Sequence, residues 1–92
     1  MGLPDRFLSE IRLTDRAIFI IEDNFTITME YDVRNNLIYL GRAAIGSTKS
    51  SAVWQIRKFL YDASDNATDI LWASGDKNFD KVWNDRLTYT YS

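Results

Sequence analysis

From Phe25 onward the chain alternates apolar and polar side chains. Phe25, Ile27, Met29 and Tyr31 share one parity, and Thr26, Thr28, Glu30 and Asp32 share the other. A two-residue period of this kind predicts a half-buried antiparallel strand. Leu37-Ile38-Tyr39-Leu40 is apolar on both parities, which predicts a central strand covered on both faces. Gly41 ends that run and marks a bulge or a close backbone approach. Between Ala52 and Asp62, Trp54, Ile56 and Leu60 share one parity with Lys58 interrupting them, while Phe59 and Tyr61 lie on the other. A bulge near Arg57-Lys58 would let both sets find cover. From Thr68 to Ala73, Ile70 and Trp72 alternate with Asp69 and Leu71, and Ser74-Gly75-Asp76 breaks the pattern.

The period then changes. Phe79, Val82 and Trp83 stand at i, i+3 and i+4, which predicts one helical turn over the sheet within residues 79–85. Leu87, Tyr89 and Tyr91 alternate with Thr88 and Thr90. This predicts a last strand whose polar face suits an exposed edge or a sheet shared with another chain.

One loop sequence occurs twice. Tyr31-Asp32-Val33-Arg34-Asn35-Asn36-Leu37 returns as Tyr61-Asp62-Ala63-Ser64-Asp65-Asn66-Ala67. Each copy has a Tyr-Asp pair, two variable residues, then two residues whose short polar side chains tolerate left-handed backbone. With strand residues on both sides, each copy predicts a tight connection between antiparallel strands. The expected fold is mainly β, a small antiparallel β-sandwich or partly open barrel with one or two short helical turns.

Before the alternation begins, Pro4 to Arg12 suits one or two helical turns, with Pro4 at a first helical position and Phe7, Leu8 and Ile11 on one face. Ala17 to Ile21 reads as a first core strand or as an arm that docks on a neighbouring subunit. The chain accordingly divides into an N-terminal segment, residues 1–24, and an antiparallel β domain, residues 25–92.

Composition narrows the chemistry. The 92 residues form one modest domain, and three Trp, five Tyr and five Phe supply much of its core. There is no cysteine and no histidine, which removes disulfides, thiolate metal sites and the usual general base. The net charge is −2 with both signs intermixed, so no stripe for specific nucleic-acid binding is expected. The apolar run Ala17–Ile21 is far below membrane-spanning length, and no cleavable secretion signal is expected. Asn24-Phe25-Thr26 and Asn66-Ala67-Thr68 match a glycosylation pattern that means little without that route.

Carboxylates are the only candidate catalytic acids. Asp76, Asp80 and Asp85 cluster beside Trp83, and Asp62, Asp65 and Asp69 cluster at the second turn. A small glycan hydrolase would need two such groups facing across a cleft, for which the chain has little material; capping of turns is the expected role. Asp76-Lys77-Asn78-Phe79-Asp80 copies the opening of a calcium loop, but Lys81 replaces the required Gly and Leu87 the bidentate Glu. Asp62, Ser64 and Asn66 fail at the same positions. Ala44 to Ser51 predicts an exposed loop, and its Gly46-Ser47-Thr48-Lys49-Ser50 string lacks the spacing of a phosphate loop. No enzyme activity, cofactor or metal is expected.

The chain from Tyr31 onward resembles small virion-associated structural proteins of tailed bacteriophages and prophages. The residues carrying the resemblance are Tyr31-Asp32, Asn35 through Ala43, Trp54-Gln55-Ile56-Arg57-Lys58, Tyr61-Asp62, Asn66, Trp72-Ala73, Gly75, Phe79 through Trp83, Arg86 and Tyr89-Thr90-Tyr91-Ser92. The resemblance implies a non-enzymatic piece of a phage particle, located in the virion. Its expected partners are other virion proteins or further copies of itself as a homo-oligomer, with no membrane. Tail or neck is favoured over capsid decoration. Phe7, Ile11, Ile18, Ile20, Trp83, Tyr89 and Tyr91 are the candidate contact residues. The alternative is a carbohydrate-binding module for host-surface glycans, which needs two exposed coplanar rings among Trp54, Trp72, Trp83 and Tyr89.

Overall fold

A computed structural model describes residues 24–92. The expected helical turns at 4–12, the expected strand or arm at 17–21, and Phe7, Ile11, Ile18 and Ile20 lie outside the described residues. Within them the fold is mainly β and antiparallel. Strands β1 (Phe25–Tyr31), β2 (Leu37–Ala44), β3 (Ala52–Tyr61) and β4 (Ala67–Trp72) form a meander in the order β1-β2-β3-β4. A two-residue strand β5 (Lys81–Val82) pairs with the beginning of β3, and a 3₁₀ helix follows at Trp83–Thr88.

The repeated loops build the two hairpins. In each, the Tyr-Asp backbone closes the same hydrogen-bonded ring: Asp32 N–H donates to the Asn36 carbonyl and Asn35 N–H to the Asp32 carbonyl, at 2.9 and 3.0 Å. The Asp62–Asn66 turn repeats both bonds at the same lengths. Asn35 and Asp65 each sit at φ 66°, the left-handed region that short polar side chains tolerate. Both hairpins also carry a register shift one step before the turn, at Glu30/Tyr31 and at Leu60/Tyr61. The second repeat is therefore a structural copy of the first. The bulge expected near Arg57-Lys58 is absent, because Tyr39↔Lys58 and Leu40↔Arg57 continue a regular ladder and the irregularities fall at the ends of β3 instead.

Register sorts the side chains into two faces, since directly opposed residues point the same way. One face carries the rows Thr28–Gly41–Ile56 and Glu30–Tyr39–Lys58–Leu71. Here lies the core cluster of Tyr39, Ala43, Trp54, Ile56, Ala73 and Trp83, with Ile38, Tyr89 and Tyr91 packed against it. The opposite face carries Ile27–Arg42–Gln55 and Met29–Leu40–Arg57–Trp72. Leu37–Leu40 is thus a central strand contributing to both faces, with Leu37, Tyr39 and Leu40 buried. The apolar parity of β1 points to the opposite face, away from that cluster.

The second layer over the core face is the C-terminal segment. Trp83 begins the 3₁₀ helix and lays its ring on Gly41, where a Cβ would stand 2.7 Å from Trp83 Cε3. Gly41 is therefore the close backbone approach; it does not end β2, which runs on to Ala44. The helical turn starts later than expected: Phe79 leaves it to stack on Phe25, with ring centroids 5.6 Å apart, and Val82 is in β5. The expected strand over 87–91 shrinks to one bridge, Ala73↔Tyr91. Local bonds hold the preceding residues helical, with the Thr88 hydroxyl donating to the Asp85 carbonyl at 2.7 Å and the Arg86 guanidinium to the Trp83 carbonyl at 3.2 Å. Leu87, whose parity suggested a strand, is 72 % exposed.

Candidate functional site

The aromatic candidates divide by layer. Trp54 and Trp83 are buried, their centroids 6.3 Å apart at a 48° tilt. The Trp54 indole N–H donates to the Thr48 carbonyl at 2.9 Å, which fastens the 45–51 loop to the core. Trp83 is consequently a core residue. Tyr89 and Tyr91 are half-buried and their hydroxyls serve the backbone: Tyr89 accepts from Val82 N–H, and Tyr91 donates to the Arg86 carbonyl, both at 2.8 Å. Burial raises the Tyr91 phenol above its ordinary value, so it stays protonated. Trp72 is half-buried with the Arg57 guanidinium 4.8 Å above its ring centre. Of the four rings that glycan stacking would draw on, Trp54 and Trp83 are buried, and Trp72 and Tyr89 are half-buried.

Asp32, Asp62, Asp65, Asp76 and Asp80 have assigned structural work. The side chain of Asp32 accepts the Arg34 and Asn36 backbone N–H groups, and that of Asp62 accepts those of Ser64 and Asn66, at 2.8–2.9 Å. Hydrogen bonds from Asn66, backbone first and then side chain, lower the Asp62 carboxyl below its usual range. Asp65 turns outward from the second loop to the first, taking Arg34 at 2.8 Å and the Asn36 amide at 3.0 Å. The two loops thus sit side by side at one end of the sheet, and Val33 at the tip is fully exposed.

At 76–81 the calcium-like string closes on an internal ammonium. Lys81 is 5 % exposed, and its Nζ donates to Asp76 at 2.7 Å and also to Asp80. Burial works against its charge, but the bonds to Asp76 and Asp80 outweigh that and carry its value above the ordinary one. The same bond, with help from Asn78 N–H, lowers Asp76. Lys81 lies where a cation would otherwise balance these carboxylates, and among the described residues no group of three or more metal-ligating side chains converges. Asp85 is exposed in the 3₁₀ helix, where its backbone carbonyl takes the Thr88 hydroxyl.

What remains for contact is edge and surface. Among the described residues β1 pairs only with β2, and residues 67–71 of β4 pair only with β3, so the meander presents two outer strands. In the sequence the apolar run Leu37–Leu40 marks β2 as central, and nothing marks β1 and β4 as the edges; Ala67 to Ile70 are exposed in the fold. Large apolar side chains stand out at Val33, Ile45, Ile70 and Leu87. Among the described residues no helix is long and apolar enough to cross a membrane. No protein-family model, no curated protein and no solved structure matches the chain.

Proposed function

We propose that this protein is a structural component of a bacteriophage particle, acting through contacts with other virion proteins or with further copies of itself, in the tail or neck rather than as a capsid decoration. The observation that carries the reading is the pair of outer strands, β1 and most of β4, flanking a well-tied centre. An open strand is a template for main-chain pairing with another chain, with alternate side chains setting specificity. The resemblance from Tyr31 onward adds support through its positions: the two turns, Gly41, Trp54, Trp83 and the closing tyrosines are the residues that build this framework. Repeated docking on a rigid sheet asks for such a framework and for no catalytic group.

Mass spectrometry of purified particles, with imaging to place the chain, tests this reading. A fixed copy number in the particle, located at the tail or neck, is the expected result; absence from the particle would defeat it.

A further inference from the structure

The two outer strands are unequally guarded against pairing with another chain. Edges are blunted by bulges, by charges and by covering segments, and β4 has all three. Its ladder breaks at Thr68, since Leu60 faces Asp69 while Tyr61 faces Ala67. Asp69 sets a charge in its middle. At its end Trp72 exchanges both main-chain bonds with Ser92, at 3.0 and 3.2 Å.

β1 has none of these devices over its first five residues. The extra residue of its hairpin, Ile38, falls on β2, which leaves β1 evenly spaced. Phe25-Thr26-Ile27-Thr28-Met29 contains no charge and no proline. The Asp32–Asn36 main-chain bond fixes where the groups of β1 point. Counting back by two, Glu30, Thr28 and Thr26 turn their N–H and C=O toward β2, so those of Phe25, Ile27 and Met29 turn outward. Among the described residues none pairs with that side of β1.

We infer that this side of β1 binds the β1 strand of a second copy of the chain, antiparallel, about a two-fold axis at Ile27. The inference rests on that part of the proposed function which joins the chain to further copies of itself. A two-fold contact needs a surface that complements itself, and β1 does. The axis sets Ile27 against Ile27, Phe25 against the second copy's Met29, and Thr26 against the second copy's Thr28. All the outward groups of Phe25, Ile27 and Met29 are then used, in about six main-chain bonds. Apolar side chains meet on one face of the joined sheet and threonines on the other, pairs that stabilise neighbouring strands. The same operation on β4, centred on Asp69, would set that carboxylate against its own copy, which is destabilising. β1 is the edge that joins copies, and β4 the edge that ends the sheet.

Sedimentation of the full chain over roughly 1–100 µM tests it, a range suited to so short a seam. A reversible dimer is expected. Ile27→Pro removes a donor that only the second copy uses, which an edge strand tolerates, and should weaken the dimer by about tenfold or more. Ile70→Pro, the matching change on β4, should leave it unchanged, with near-ultraviolet circular dichroism checking that both variants stay folded. Because the chain has no cysteine, mixed Thr26→Cys and Thr28→Cys chains read the register without proline. Disulfides between the two variants should form faster than those within either one. A monomer throughout the range, a folded Ile27→Pro variant that dimerises as before, equal weakening by Ile70→Pro, or disulfides no faster between the variants than within them would each overturn the inference. The particle experiment is separate: a monomer still found at fixed copy number in the particle sinks this pairing alone, and a dimer absent from the particle sinks only the place in a virion.

Discussion

Gly41 is where a single hydrogen atom decides the packing. The Trp83 ring occupies the space a methyl group would need, and Trp54 Cε3 would stand 3.2 Å from the same methyl. Gly41→Ala is therefore expected to destabilise the protein by about 2 kcal/mol, the usual scale of overpacking, measured by urea unfolding. Arg34→Ala should cost less than about 1 kcal/mol in the same assay, because its pair with Asp65 is open to water and screened. Asp62 gives a pH dependence. Its folded value lies below the 3.8 of the free carboxyl, so its contribution is complete above pH 3.8 and is lost as the pH falls through the lower folded value. Asp62→Asn keeps an acceptor without the titration and should flatten the acid limb of the stability profile; an unchanged limb would show that the turn's hydrogen bonds are not coupled to its charge. These residues were unequally legible in the sequence. The turn aspartates announced themselves by repetition. Gly41 announced only some special need, because which ring approaches it depends on residues forty positions away.

Among the elements, β1 to β4 could be read from alternation and turn chemistry, since both are local. The C-terminal layer could not. Leu87, Tyr89 and Tyr91 have strand parity, yet the hydroxyl and carbonyl bonds of Asp85, Arg86, Thr88 and Tyr91 favour a tight helical turn. Tertiary anchoring of Trp83 on Gly41 selects it, and alternation carries no trace of that contact. The stretch at 76–81 shows the same limit. Its spacing suggests a loop for calcium, while the ammonium three-dimensionally placed to balance Asp76 and Asp80 comes from the neighbouring Lys81. Lys81→Ala should lower the thermal midpoint and raise the Asp76 carboxyl toward its ordinary value, followed by NMR titration. A midpoint unchanged within error would mean that the loop is held by backbone bonds such as Asn78 N–H to Asp76 alone.

At the scale of the whole fold, the described residues are organised about β3. Its middle pairs with β2 on one side; on the other side its beginning pairs with β5 and its end with β4. Native-state amide exchange should therefore be slowest at Gln55–Lys58 and fastest along Ala67–Ile70, where the strand is exposed. Equal rates would deny the hierarchy. The join between the two partners of β3 falls near Ile56, whose carbonyl receives Ala73 N–H at 3.0 Å, just past the end of β4. A load applied across the sheet thus meets two short seams rather than one long one. Peeling off β4 would leave β5 still sewn to the start of β3. If the protein carries tension between larger parts, this split seam lets it yield in steps and recover, with the tryptophan pair still closed when the outer strand has already let go.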